Sequence, residues 1–427
     1  MSAIRPFRAL RYDPARVDLA RVLVPPYDVI AAEDRARLYA RDPHCAIRLE
    51  LTRDPAEESR TDYAQVRSQL EAWTRDGVLR RDPRPALYGL RQSFTAEGAA
   101  PQSRVGFFAL LRLEDYAERV VRPHERTLAG PKADRLKLLR ASRANLSSVF
   151  LLYEDPSDAL APCIDEPGGS PLAEARDEAG TLQRLWAIED AARVEQVQDF
   201  LAKRPLVIAD GHHRYETALA YRDERRAAGE CAPDAAHEWL LVYLANAFAP
   251  GTLLLPIHRL VREAAAPSEA GWRSRLPGWQ QRQIRIESAE DVPAALAQHL
   301  APLAARRQLA FAADDGSGTL RIFSRPAGEE LSVRVIHREV IEGVFGLDAD
   351  AVQHGAIEYP KSALQTARDL RRGRGTAALY LNPLSPEDVF RVTEAGEVLP
   401  QKSTFFHPKL PTGLVFRTLE SDAVDPA

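Results

Sequence analysis

The chain runs to 427 residues yet holds one methionine, three cysteines and, of its 57 basic residues, only six lysines. The cysteines, Cys45, Cys163 and Cys231, are odd in number and far apart, with no CxxC pair and no zinc-ligand spacing. A disulfide framework and a thiolate metal site are therefore excluded as organising features, and reduced thiols of a cytoplasmic protein are expected. No uninterrupted apolar run approaches the roughly 20 residues of a membrane span. The opening stretch MSAIRPFRALRYDP lacks the apolar core of a signal peptide. No membrane partner is expected. A charge balance of 57 against 61 gives -4 and a pI near 6.3, so the basic field needed for non-specific nucleic-acid binding is missing and no nucleic-acid partner is expected. No internal repeat or heptad array is present. Scarce lysines carry no function by themselves, but they can be weighed one by one.

What the chain does have is 45% hydrophobic and 28% charged residues, enough to bury a large core and unlike a disordered composition. Its length suggests two or three domains. Helical patterns lie at Arg35 to Tyr39 and Tyr63 to Trp73, and strand patterns at Ala86 to Phe94 and Val105 to Leu113, joined by the small-residue loop TAEGAAPQS. The run PKADRLKLLRASRAN predicts a helix opened by Pro131. Asp155 to Glu178 has no sustained periodicity and reads as a surface excursion. Beyond His258 the chain is expected to change domain, with a hairpin at Asp314-Asp315-Gly316 and a helix near Ser362 to Arg371. The expected divisions are 1–104, 105–260 and 261–427, in an α/β protein of mixed sheets.

The strongest local signal is LVIADGHHRYETALAY. An apolar strand that breaks at Asp210-Gly211 and turns at once into a helix leaves the first helical N–H groups unpaired, and such groups attract phosphate oxygens. Gly211 lets backbone approach a ligand closely. Arg214 offers a planar fork, and His212 and His213 offer ring N–H groups. The plain alternative is an Asp N-cap on a surface helix with a basic first turn.

Asp210-Gly211-His212-His213-Arg214, with its strand and the Tyr215 helix, resembles the phosphate-binding motif of the ParB/sulfiredoxin-like fold. That motif is used by sulfiredoxin, by ParB-type nucleotide-binding domains and by archaeal free serine kinases. The kinases share two further segments in the same order. Arg122-Pro123-His124-Glu125 looks like their Lys-Pro-His-Glu, where the glutamate is the catalytic base. Gln401-Lys402-Ser403-Thr404, after Leu399-Pro400, resembles their Ser-Pro-Lys-Thr-Thr stretch. Over nearly the whole chain, the phrases PFRALRYDP, VPPYDVI, HERTL, DGHHRYETA, LNPLSPEDVF and PQKSTFFHPKLPTGL are similar to those of a bacterial family with no known function. The first hundred residues and the 155–178 insert have no counterpart in the kinases.

The resemblance implies a central ParB/sulfiredoxin-like domain with an N-terminal extension and a C-terminal α/β domain. It implies a nucleotide-dependent kinase for a small hydroxyl metabolite, with free L-serine giving O-phosphoserine as the specific expectation. Glu125 would be the general base, with Asp210 and His213 also catalytic. Gly211, His212, His213 and Arg214 would bind the phosphates of ATP or ADP. His124, Lys402, Ser403 and Thr404 would meet the substrate, and Asp210 would hold Mg²⁺. Each has a bland counterpart: an exposed Glu125 paired with Arg126, a capping Asp210, a Lys402 on an ordinary turn. Asp28 is expected to cap the next helix, and Lys132 and Arg135 to lie on a solvated helical face. His407 and Lys409 could line the pocket or simply stiffen a proline-bracketed segment. Two other functions remain open, a ParB-like nucleotide-driven regulatory module and a phosphohydrolase built on the same cradle.

Overall fold

Four apolar runs that a water-facing strand could not tolerate make the centre of the fold. Gln102–Arg112, Val149–Tyr153, Leu206–Asp210 and Trp239–Asn246 are buried along most of their lengths, as strands covered on both faces are. The computed structural model describes residues 2–52, 63–97, 100–125, 127, 129–400 and 402–419. The chain divides into two compact units, one of Met1–Thr95, Pro101–Leu253 and Pro408–Ala427 and one of Ala96–Ala100 and Leu254–His407.

The first unit is built on a nine-stranded mixed sheet. In chain order its strands are Ile4–Arg5 (β1), Leu87–Phe94 (β2), Gln102–Arg112 (β3), Val121–Arg122 (β4), Val149–Tyr153 (β5), Ala173–Arg176 (β6), Leu182–Ile188 (β7), Leu206–Asp210 (β8) and Trp239–Asn246 (β9). Their spatial order is β4-β8-β5-β9-β3-β2-β7-β6, with β1 also paired to β3. Two ladders are parallel, β4 with β8 and β9 with β5. Helices Ala64–Arg75 (α1), Ala129–Ser142 (α2), Ala191–Ala202 (α3) and His212–Ala227 (α4) belong to the same unit. α3 starts where the Asp190 carboxylate accepts from the Arg193 N–H, and it buries Val194, Val197 and Leu201. These join Tyr215 and Ala218 of α4 on a core of Phe107, Leu151, Ile208 and Val242. Gly106 is required by close packing, because a Cβ there would lie 2.4 Å from the Leu244 carbonyl oxygen and 2.5 Å from the Tyr243 hydroxyl.

No boundary falls at residue 104. β2 and β3 are an antiparallel hairpin with Phe94 opposite Gln102, so the first hundred residues complete the same sheet as the DGHHR strand. The expected excursion at 155–178 carries a short helix, Ala161–Ile164, and the edge strand β6. An edge strand of four residues with one buried side chain leaves too short a pattern to read. The C-terminal stretch also belongs to this unit. Thr412 bridges Val24, Phe416 bridges Leu10, and Arg417–Thr418 pairs with Ala144–Asn145.

The second unit holds a six-stranded sheet. Its strands are Arg259–Val261 (β10), Gln280–Arg285 (β11), Gln308–Asp314 (β12), Thr319–Pro326 (β13), Ile357–Glu358 (β14) and Ala377–Leu381 (β15), in the order β11-β13-β12-β15-β10-β14. One face packs Trp272, Phe311 and Phe323, the other Ala312, Ile322, Leu370 and Tyr380. The hairpin at Asp314 to Gly316 and the helix Ala363–Arg371 appear where the sequence puts them. Among the described residues no helix is long and apolar enough to cross a membrane.

Candidate functional site

β8 ends at Asp210, Gly211 turns the chain with φ 96°, and the sixteen-residue α4 begins at His212. Gly211 occupies the N-cap without a side chain to cap the helix, so the opening N–H groups keep the positive end of the macrodipole uncovered. A Cβ at residue 211 would also sit 3.0 Å from the Arg214 guanidinium. Gly211→Ala is therefore expected to lower stability by about 1–2 kcal/mol through left-handed strain, read as a shifted urea midpoint. An unshifted midpoint would mean that the turn relaxes to negative φ.

Behind that turn lies a buried charge cluster. The Asp210 carboxylate accepts from Arg214 Nη2 at 2.6 Å and, through its other oxygen, from Lys409 Nζ. Arg214 Nη1 donates to the Ser148 carbonyl. Arg104, fully buried, donates to Gln92 Oε1 and the Pro408 carbonyl and feels the Asp210 charge. Burial works against ionising Asp210, but Lys409 and Arg214 outweigh it and hold the carboxyl well below its usual range. Two cations thus hold the carboxylate directly and Arg104 stands near it, while the charges of Asp28 and Glu50 also act on Arg214.

This arrangement corrects the expectation that Asp210 holds a metal. Both of its oxygens already accept from cations, and among the described residues no group of three or more His, Cys, Asp or Glu could hold a metal ion. The residues present do not fit a protein-ligated Mg²⁺ at this position. Arg214 likewise spends its fork on Asp210 and Ser148.

The parallel pairing of β4 with β8 sends both chains out of the sheet at one edge, Leu206 opposite Val121 and Val207 opposite Arg122. Just beyond β4, the His124 N–H donates to His212 Nε2 at 3.2 Å, and the two rings meet edge to face with centroids 4.6 Å apart. His124 Nδ1 donates to the Ile208 carbonyl. His124 is 1% exposed, and burial pushes its imidazole down to about 4. Burial likewise lowers His212, with His124 adding to the effect. Both rings are neutral clamps between strand end and helix start. His212 Nε2 is an acceptor here, which places its ring proton on Nδ1, the nitrogen left to donate. Glu125 follows the clamp, a quarter exposed, with Oε1 4.0 Å from His124 Nε2. His213 is half-buried and lowered by desolvation, against the pull of Glu216 and Asp28.

Of the two helical residues read as solvated, Lys132 stays 37% exposed and Arg135 is buried. Glu216 Oε2 accepts from Thr127 Oγ1 at 2.7 Å and from Lys132 Nζ at 2.9 Å, tying the loop after Glu125 to α4. Arg135 is 6% exposed, donates to the Glu50 carbonyl and lies over the Tyr27 ring at 4.3 Å. Burial raises the Tyr27 hydroxyl to about 12. Asp28 is not the expected cap, since the helix Ala32–Arg41 starts at Ala31 without a side-chain cap; its charge acts on His213 and Arg214 instead. Lys402, Ser403 and Thr404 belong to the second unit, where Lys402 adopts φ 58° and Ser403 Oγ donates to the Pro400 carbonyl. Arg126, Leu128 and Gln401 lie outside the described residues. The lysine that reaches the DGHHR turn is Lys409, whose signal was its place between Pro408 and Pro411.

A family model described as "Protein of unknown function (DUF1015)" matches residues 4–305. No curated protein matches the chain. Among solved structures it is similar to a conserved hypothetical protein from Pyrococcus furiosus, at 16% identity over 73% of this chain and 96% of that one, with a TM-score of 0.35. A free serine kinase in complex with AMP shares 14% identity over 73% and 92%, with a TM-score of 0.33. A C-terminally truncated SbnI from Staphylococcus aureus shares 12% over 75% and 90%, again at 0.33.

Proposed function

The chain belongs to the DUF1015 family, and we propose that it is a nucleotide-dependent phosphotransferase acting on a small hydroxyl metabolite, with free L-serine as the acceptor and ATP or ADP as donor. The observation that carries this reading is the shared sheet edge. One parallel ladder sets Glu125, a quarter exposed, directly after His124, which bonds the first residue of an uncapped helix backed by Arg104, Arg214 and Lys409. The transferred phosphoryl group needs positioning and charge stabilisation more than covalent help. The N–H groups of residues 212 to 214, the helix dipole and the cations behind the turn supply these for the donor's terminal phosphates. Glu125 takes the proton as the acceptor oxygen bonds to phosphorus, and the nucleotide leaves with the electron pair of the broken P–O bond. His124 and His212, both neutral, hold the carboxylate's segment against the helix without competing for that proton.

Incubating the protein with Mg²⁺, either nucleotide and L-serine, and following O-phosphoserine by mass, tests the reading. Formation of the phosphoester supports it. Release of inorganic phosphate without any phosphoester would instead make water the acceptor, and consumption of neither nucleotide would end the proposal. Lys409→Met keeps the aliphatic stem and removes the charge. Nucleotide affinity in this variant, measured by calorimetry, is expected to fall about 10- to 100-fold, the worth of one charge-assisted contact. Unchanged affinity would place the phosphates away from Asp210.

A further inference from the structure

Arg259 opens β10 in the second unit and is 6% exposed, yet among the described residues it forms no ion pair. Its guanidinium donates instead to two main-chain carbonyls, from Nη1 to Ile257 and from Nη2 to Lys402, the latter at a long 3.4 Å. Arg135 and Arg222, similarly buried, hold carboxylates at 2.6 and 3.0 Å. Arg417, buried without a carboxylate, spreads its donors over Asn145 Oδ1 and the Trp239 and Ala236 carbonyls. Arg259 has neither solution. Its Nε makes no hydrogen bond among the described residues and is not sealed from solvent. Burial pushes the guanidinium down to about 10, the cost of a charge with no counter-ion.

Further cations and two aromatic rings stand around it. The Arg259 guanidinium carbon lies 5.2 Å from the centre of the Tyr359 ring, and two residues on, Lys361 Nζ lies 4.2 Å from the centre of the Phe405 ring. Lys402 is three residues before Phe405, so the contacts close a circuit through Arg259, Tyr359, Lys361, Phe405 and Lys402, all within the second unit. Lys361 and Lys402 are exposed while Tyr359 and Phe405 are partly exposed, which leaves the circuit an open side. Lys402 also forms no ion pair among the described residues, and it holds the left-handed φ of 58° that a side chain with a Cβ adopts only at a cost. Glu358, beside Tyr359, is taken by Arg262 at 3.1 Å. Three cations from three chain segments thus gather at one place. A planar carboxylate presents its oxygens to a single fork, whereas a tetrahedral dianion offers oxygens to a guanidinium and to ammonium groups arriving from other directions. We propose that the second unit carries a binding site for a phosphate-type dianion at Arg259, with Lys361 and Lys402 at its rim. The claim concerns binding and stands whether or not phosphoryl transfer occurs.

The test is calorimetric titration of the full chain, without nucleotide and at constant ionic strength, with inorganic phosphate, with glycerol 3-phosphate and with acetate as the monoanion control. Saturable binding of phosphate and none of acetate is expected. Binding of both phosphates identifies a phosphate monoester as a ligand, and binding of inorganic phosphate alone restricts the site to the free anion. The helix start at Gly211 is also proposed to meet phosphate, so variants assign the signal. The double variant Lys361→Gln, Lys402→Gln alters only exposed side chains and should weaken, about tenfold or more, a binding event that Lys409→Met leaves intact. Arg259→Lys keeps the charge, removes the fork and should weaken the same event severalfold. Failure of phosphate to saturate overturns the proposal, as does a double variant that titrates like the parent. A chain that binds phosphate through Lys361 and Lys402 yet phosphorylates no acceptor would defeat the proposed activity and leave this site standing.

Discussion

Glu125→Gln is expected to leave nucleotide affinity intact and to lower turnover about 10²–10⁴-fold, or roughly 3–5 kcal/mol of transition-state stabilisation. The substitution keeps the side chain's size and removes its capacity to accept a proton. Two hydrogen bonds hold the preceding residue in place, from the His124 N–H to His212 and from the His124 ring to the Ile208 carbonyl, and neither passes through the Glu125 carboxylate. A loss of rate therefore reports chemistry rather than a displaced loop. In the proposed reading the phosphates meet the N–H groups of residues 212 to 214 with Lys409 behind them, so nucleotide titrations of the variant should overlay those of the parent. Steady-state kcat together with calorimetric nucleotide binding decides the matter. A folded variant with full turnover would return Glu125 to the role of an ordinary surface carboxylate.

How much of this was legible in the sequence follows the distance over which each feature is decided. The break at Asp210-Gly211-His212 was readable because strand, left-handed turn and helix start are set by adjacent residues. The apolar runs of β3, β8 and β9 were readable for the same reason. Sheet membership was not, because β2 pairs with β3 on one side and with β7, about ninety residues on, across the other. A linear scan therefore divided at residue 104 what the sheet joins. Arg135 was assigned to solvent because a charged helical residue usually lies there, and its partner Glu50 arrives from an N-terminal segment that no local pattern links to it. The two lysines of the C-terminal motif show the same limit. Lys402 drew attention through its polar neighbours, yet Lys409 reaches Asp210 because the following residues are anchored through Thr412 to Val24 and through Phe416 to Leu10. Those anchors are contacts across most of the chain.

Asp210→Asn is expected to lower stability by about 3–5 kcal/mol at neutral pH, because it leaves buried cations without their shared carboxylate. The Asp210 and Arg214 side chains are each 13% exposed and Lys409 is 20% exposed, so water can repair little of the loss. An asparagine oxygen could still serve one cation, but its amide would then face the other with a donor. The pH dependence separates this cause from a packing fault. The folded-state pKa of Asp210 is depressed, so its contribution is fully present above the unfolded value near 3.9 and is lost as pH falls through the lower folded value. Parent and variant should therefore differ by a constant amount from about pH 7 down to about pH 4 and converge below it, where the protonated parent comes to resemble the amide. Urea midpoints across that range measure the curve. Equal midpoints at pH 7, or a gap that persists undiminished into acid, would show that Asp210 does not hold the cluster together. The expected curve would mean that the carboxylate's work is to keep Arg214 and Lys409 buried behind the helix start, the charge arrangement on which the proposed phosphate site depends.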